Sequence, residues 1–437
     1  MAPKLERFTS PGKGNGLRAT GRIRKGEPVY SAEPLACCVS NKAARQVCHH
    51  CFTRCESLLR CSQCKMARYC DTTCQKRAWS GHKRECKCLR SLLPRIPTDS
   101  VRLAARIIFT LLTPSQRSSE ELYTLEEHES HLSSMSPQKR EGLSQLAAML
   151  QLYLQQEVPN LTQEMTLVIP PSCQEPLSLI AKVTCNCFTI SDGELQEIGV
   201  GLYPSLSLLN HDCRPNCVMV FEGTKLHLRA VQDISPKEEL TISYIETVSL
   251  TVDRQRQLEE QYHFTCHCQR CDSQDMDGLM LSGDEAAWRP MKEALPRLGE
   301  LQAEFDWQAV LEGCSSLLLP DGGAVPDENL YKLRVTDLAL DACVHLAHWE
   351  EALRYGEKTL PVYRQYYPDP HPVHGVQLMR VGKLHHYLGH IEETMDTFTQ
   401  AYEIIKVTHG SAHPLTCDLR GKLEECRAEL SQPSSSR

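Results

Sequence analysis

"SLLNHDCRPNC", Ser207–Cys217, gathers Asn210, His211, Asp212, Cys213, Asn216 and Cys217 directly behind an apolar run. Four readings compete for it. Asn and Asp side chains bond their own backbone, so a plain turn is the simplest. A Cys/His nucleophilic dyad needs a thiol with a lowered pKa, and nothing nearby in sequence arranges one for Cys213. A metal site or a cofactor pocket needs partners from elsewhere in the chain. "CHCQRC" supplies Cys266, Cys268 and Cys271, three thiolates short of a fourth ligand, and no Cys or His pair nearby completes a local finger. Cys213 can fill that place. Two further features stand at a distance: the glycine turn "KGNG" at Lys13–Gly16, and "EELTISY", which reads as a strand ending in Tyr244.

Around these features the chain is long, with 437 residues, and calls for two to four hydrophobic cores. Hydrophobic residues make up 41% and charged residues 24%, as in ordinary globular proteins. "MAPKLERFTS" lacks the apolar core of a secretory signal, and no run reaches the length of a membrane span. The 23 cysteines are therefore expected as metal ligands and buried thiols, not disulfides. The net charge of −7 is uneven: residues 272–437 carry −12, whereas residues 60–90 hold nine basic and two acidic side chains.

Between residues 48 and 86 lie four ligand pairs: Cys48/Cys51, Cys61/Cys64, Cys70/Cys74 and His82/Cys86. A Cys-x-x-Cys turn delivers two thiolates to one tetrahedral ion, so eight ligands make two zinc sites. The segment has few large apolar residues and needs the metal to hold a fold. Its basic charge would suit nucleic-acid phosphates, against the plainer reading of a solvated surface.

Elsewhere, "LRATGRI" and "EPVYSAEPLA" read as short strands. Residues 97–165 read as mainly helical, with Asp99 or Ser100 capping "VRLAARIIFTLL" and with "SSEELYTLEEHESHLSSM" and "REGLSQLAAMLQLYLQQE" continuing in that style. From about Ile180 to Ile245 the pattern turns to strands. Beyond Gly283 an internal repeat appears: Trp307, Trp349 and Ile391 are spaced by 42 residues, and His371–Pro372 matches His413–Pro414 at the same spacing. This reads as a helix-pair solenoid resembling tetratricopeptide repeats. The tail "SQPSSSR" reads as disordered.

The four ligand pairs resemble the MYND zinc finger. Glycine turn, Asn-His motif, Tyr after a strand and a Cys-x-Cys-x-x-Cys tail, in that order, resemble the SET domain of protein lysine methyltransferases. A MYND finger inserted after the first SET strands is similar to the SET and MYND domain-containing family, over nearly the whole chain. That resemblance implies an α+β fold: a SET-domain β-fold interrupted by a zinc-binding MYND finger and a helical insert, with an all-α tetratricopeptide-like C-terminal domain. The divisions implied are 1–47 for the N-terminal SET part, 48–86 for the finger, 87–179 for linker and insert, 180–246 for the SET core, 247–282 for the post-SET zinc region, 283–429 for the repeats and 430–437 for the tail.

The resemblance also implies ligands and roles. Cys48, Cys51, Cys70 and Cys74 would hold one zinc, Cys61, Cys64, His82 and Cys86 a second, and Cys213, Cys266, Cys268 and Cys271 a third. Lys13, Gly14, Asn15, Tyr123, His131, Asn186, Asn210, His211, Tyr244 and Phe264 would surround S-adenosylmethionine. Position 131 departs from relatives that carry Asn, although an imidazole still donates one hydrogen bond. Phe188, Tyr244 and Tyr262 would line a lysine channel, with Tyr244 orienting the amine. The activity implied is protein-lysine N-methyl transfer, of the histone-lysine methyltransferase class. Substrates would be histone tails or cytoplasmic signalling proteins, for a monomer of cytoplasm and nucleus without a membrane span. The finger would take proline-rich peptides, the repeats the chaperone Hsp90, and the basic surface DNA weakly. The competing reading is a docking protein whose finger and repeats recruit partners around a vestigial SET core.

Overall fold

The computed structural model describes residues 3–113, 118–158, 163–319 and 323–432. Its β-structure is assembled from distant segments. A hairpin pairs Leu5–Ser10 with Gly14–Ala19, turning through Gly12 and Gly14 at φ +74° and +79°. Pro28–Ala32 joins Lys225–Ala230, which also pairs with Cys217–Glu222. Ala36–Val39 and Phe188–Ser191 flank Glu197–Leu202, all antiparallel. The opening motif makes the exception: Asn210–His211 runs parallel to Thr241–Ile242. Between strands near the N-terminus and strands near residue 200 come the finger and the helical insert.

The finger's last ligands ride on the helix Thr72–Leu92, capped by Asp71, whose carboxylate accepts from the Cys74 amide at 2.7 Å. That helix presents the fully buried Glu85 to Arg102 and Arg106 of the helix Asp99–Leu111. Burial alone would raise the Glu85 carboxyl, but Arg106 and Arg102 bring it down to about 2. Arg102 also donates to the Val39 carbonyl at 2.8 Å and to Asn41 Oδ1 at 3.1 Å. One ion cluster thus ties the finger helix, the insert helix and the strand Ala36–Val39 together. Replacing Glu85 by Ala leaves the buried Arg102 and the partly buried Arg106 without their counter-charge and is expected to cost about 3–5 kcal/mol of unfolding free energy, read in urea melts. A loss within about 0.5 kcal/mol would show the cluster to be incidental.

Three details of the helical reading are corrected. The cap of Asp99–Leu111 is Thr98, whose hydroxyl accepts from Val101 N, while the Asp99 carboxylate is taken by Asn41 N at 2.8 Å. Ser118–Met135 forms a loop with two short 3-10 turns, not a helix. Its acids bond local backbone instead: Glu127 Oε2 accepts from Thr124 N, and Glu120 Oε1 from Leu125 N. Pro176–Asn186 is helical, so the strands begin at Phe188, later than Ile180.

Beyond residue 284 seven helices follow among the described residues: Glu285–Ala303, Trp307–Leu318, Leu330–His345, Trp349–Tyr366, Pro372–Tyr387, Ile391–Thr408 and Pro414–Ser431. Trp307, Trp349 and Ile391 each open a helix, and Phe305, Ala347 and Gly389, at the same 42-residue spacing, each hold a positive φ. His371 and His413 act alike: each ring Nδ1 accepts the amide two residues on, at 3.1 Å. The repeats are docked on the β-structure. His413 Nε2 donates to the Phe221 carbonyl at 2.9 Å, Arg229 donates to Val407 O at 3.3 Å, and Tyr367 bonds Glu246 at 3.1 Å. The last helix runs through Ser431, and the rest of the tail, 433–437, lies outside the described residues. No helix among the described residues is long and apolar enough to cross a membrane.

Candidate active site and metal centres

The cysteine spacing closes into three clusters. Cys48, Cys51, Cys70 and Cys74 converge, as do Cys61, Cys64, His82 and Cys86, with all ligand atoms of each set within 4.8 Å of one another. His82 Nε2 lies 3.6 Å from Cys64 Sγ, so Nε2 is its ligand atom. The pairing is interleaved, and zinc fits because two hard turns and one helix deliver only S and N donors. The third cluster brings Cys213 to Cys266, Cys268 and Cys271, with Cys213 Sγ 3.6 Å from Cys271 Sγ.

Two buried guanidiniums, Arg254 and Arg270, stand beside this third cluster. Arg254 Nη2 lies 3.4 Å from Cys271 Sγ, while Arg254 Nε and Arg270 Nε and Nη2 have no hydrogen-bond partner among the described residues. Stranded buried cations are costly. Four thiolates on Zn2+ carry a charge of about −2, which two guanidiniums neutralise. The donor set and its counter-charges therefore fit a tetrathiolate zinc. Neither arginine was marked by the sequence pattern.

From Cys213 the site runs back along the parallel pair. His211 Nδ1 accepts from the Tyr244 amide at 3.0 Å, so the ring proton sits on Nε2, 3.3 Å from Cys213 Sγ. One imidazole thus links the metal cluster to Tyr244. The Tyr244 hydroxyl donates to the Leu209 carbonyl, just before Asn210. Its ring meets Tyr262 at 4.8 Å, His211 at 5.3 Å and Phe264 at 6.2 Å. Burial, with the neighbouring Tyr262 hydroxyl, pushes the Tyr244 phenol above its ordinary value, and burial pushes Tyr262 up to about 12. Both hydroxyls stay protonated at neutral pH.

The glycine turn meets the same motif. Asn210 Nδ2 donates to the Asn15 carbonyl at 3.0 Å and to Glu239 Oε1 at 2.8 Å, and Lys13 Nζ lies 3.6 Å from Glu239 Oε2. A Cβ at Gly16 would sit 2.8 Å from Glu239 Oε1 and 2.9 Å from Asn210 Nδ2, so only glycine lets the hairpin approach this closely. Glu239 was not foreseen, because nothing in "KEEL" distinguishes it from Glu238.

The insert loop closes over the other side. The Asn186 amide donates to the Glu129 and Lys182 carbonyls at 3.0 and 2.8 Å, and its own carbonyl accepts from Ser207 at 3.1 Å. The buried Lys182 ammonium donates to the carbonyls of Leu125 and Glu126 and to Ser172 Oγ, so all three donors are used. Tyr123 is buried, stacked on His128 at 4.3 Å, with its hydroxyl on the Glu127 carbonyl. His131 stacks on His263 at 4.9 Å, both at positive φ. Phe188 packs edge-on against Tyr203 at 5.9 Å, whereas the rings around Tyr244 are Tyr262, Phe264 and His211. Cys217 is buried in a strand, and burial pushes its thiol up to about 12, which makes it an inert core residue.

A family model described as "SET domain" matches residues 14–245. Histone-lysine N-methyltransferase SMYD3 of Homo sapiens is 45% identical over 427 residues, covering 98% of this chain and 98% of that protein. Smyd1 of Mus musculus, a histone-lysine N-methyltransferase, is 33% identical over 452 residues, covering 98% and 90%. N-lysine methyltransferase SMYD2 of Gallus gallus is 33% identical over 436 residues, covering 96% and 97%.

Proposed function

This chain belongs to the SET domain family and, within it, to the SET and MYND domain-containing proteins, and on that premise we propose that it is an S-adenosylmethionine-dependent protein-lysine N-methyltransferase. The observation that carries the reading is the setting of Tyr244. Its amide bonds His211 in the Asn210–His211 strand, its hydroxyl bonds Leu209 just before that strand, and it stands among three other rings.

When bound, S-adenosylmethionine supplies an electrophilic methyl group on a sulfonium. The residues present fit it. Gly16 leaves no room for a side chain beside Asn210, Lys13 offers a cation for a carboxylate, and Asn15, Asn186, Asn210 and His211 offer polar groups. Phe264 supplies a flat apolar face, and Tyr123 and His131 come from the loop that closes the pocket. The chain's own task is to present a neutral lysine amine. Neutralising a free lysine at pH 7 costs roughly 4–5 kcal/mol. Phe188, Tyr244 and Tyr262 would form apolar walls that disfavour the charged form. The protonated Tyr244 hydroxyl, with its proton committed to Leu209 O, keeps lone pairs free to accept from the amine. It orients and does not act as a base, so catalysis rests on positioning.

The partners belong to the same proposal. Protein lysines are the substrates. The −12 charge of residues 272–437 favours basic peptides such as histone tails, with cytoplasmic signalling proteins as the other class. The finger would dock proline-rich peptides and the repeats the chaperone Hsp90. Lys76, Arg77, Lys83 and Lys87 are exposed on the finger helix and would give weak, salt-sensitive contact with DNA phosphates. A monomer working in cytoplasm and nucleus fits this set. The test is calorimetry with S-adenosylmethionine. Saturable one-to-one heat, with protection against unfolding, is expected. No heat and no protection would leave only the docking reading. Tritiated-methyl labelling of cell-extract proteins, followed by mass spectrometry, then identifies the lysines.

A further inference from the structure

A fourth group of metal-ligand side chains lies in the helical repeats, far from the three zinc clusters in sequence. Cys343 sits near the end of Leu330–His345, His348 stands at the N-cap position of Trp349–Tyr366, and Glu351 lies in that helix's first turn. Their ligand atoms all lie within 4.8 Å of one another. Cys343 Sγ is 4.0 Å from Glu351 Oε2, and His348 Nδ1 is 3.5 Å from the same oxygen. Donors sharing a tetrahedral ion at bond lengths of about 2.0–2.3 Å stand roughly 3.3–3.7 Å apart, so small rotamer changes suffice.

The turn itself creates this convergence. Ala347, at φ +58°, folds the chain back so that His348 N donates to the Cys343 carbonyl at 2.8 Å. The next repeat repeats the chemistry: residues 42 places on are His385, His390 and Glu393, and His385 Nδ1 lies 3.3 Å from His390 Nδ1. There, however, His385 Nε2 is already engaged by Glu357 at 3.1 Å. At the Ala347 corner the imidazole faces only Glu351, the third member of the same group. His371 and His413 spend Nδ1 on capping, whereas His348 makes no side-chain cap bond.

We propose that Cys343, His348 and Glu351 form a fourth, exchangeable site for a divalent transition-metal ion of zinc type, clamping two successive repeat helices. One S, one N and one O donor select a borderline ion such as Zn2+ over Mg2+ or Ca2+. Three protein ligands leave a fourth position for water, unlike the closed clusters of the finger. Cys343 is buried while His348 is exposed, so the ion enters from the histidine side. Coordination deprotonates the thiol and releases one proton to solvent. The competing description is a surface His–Glu ion pair beside an inert buried cysteine; Arg354 also approaches Glu351, at 3.6 Å.

The experiment uses the full chain, free of affinity tags and loaded with three zincs, titrated with Co2+. One further equivalent is expected to bind, with a thiolate-to-cobalt charge-transfer band in the near ultraviolet. His348→Ala and Glu351→Gln leave the buried cysteine in place and keep the fold. Each should weaken that binding by more than about tenfold while the three zincs stay bound, since even partners outside the ligand sphere cost that much. Absence of a fourth equivalent, or an unchanged band in both variants, overturns the proposal.

Discussion

Tyr244→Phe is expected to lower kcat for methyl transfer by about 10²–10³-fold while metal analysis still finds three zincs per chain. The size follows from losing one preorganised polar contact in a desolvated site. The phenol is half-buried, stays protonated, and bonds the carbonyl of Leu209, immediately before the Asn210–His211 strand. Phenylalanine keeps the ring contacts with Tyr262, His211 and Phe264, so the apolar walls remain. What disappears is the oxygen that orients the amine, and with it a partner for Leu209 O, a stability cost of about 1–3 kcal/mol. Because orientation is lost and not binding, KM for a peptide substrate should change much less than kcat. A variant that keeps full turnover would remove Tyr244 from the proposed mechanism. So would one whose loss lies wholly in KM.

The sequence carried the ligands of all three metal clusters because thiolates at fixed spacing have few other uses in a chain without disulfides. It also carried the repeat, whose 42-residue period survives as equivalent helix starts and equivalent histidine caps. What stayed hidden is what depends on long-range approach. Glu239 matters because Asn210 and Lys13 arrive from 29 and more than 200 residues away. Lys182, Arg254 and Arg270 look like ordinary surface charges on helices until tertiary packing buries them. The loop at Ser118–Met135 misled periodicity, since its apolar residues are spaced as in a helix while its acids bond the local backbone. His131 is a sequence departure that the structure places against His263, in a stack between two left-handed residues.

The largest combined effect is expected at Cys213. Cys213→Ser should reduce bound zinc from three to two, abolish saturable S-adenosylmethionine binding, and lower methyl transfer by more than about 10²-fold. The reasons act in sequence. Serine is a poor ligand for an ion otherwise held by thiolates. Structural zinc contributes folding free energy outright, about 10–16 kcal/mol in isolated fingers. Without the anionic centre, Arg254 and Arg270 become uncompensated buried cations, and the Gln269–Ser273 helix loses its link to the β-structure. Two residues upstream, His211 loses the sulfur facing Nε2, and its Nδ1 contact with the Tyr244 amide loses its support. Asn210 and Asn15 then lose their fixed separation at the glycine turn. The finger clusters share no ligand with this centre, so their two zincs should persist. Metal analysis and calorimetry on one sample separate the steps. A zinc content equal to that of the unsubstituted chain would refute the ligand assignment. Loss of one zinc with cofactor binding intact would break the coupling from Cys213 through His211 to Tyr244.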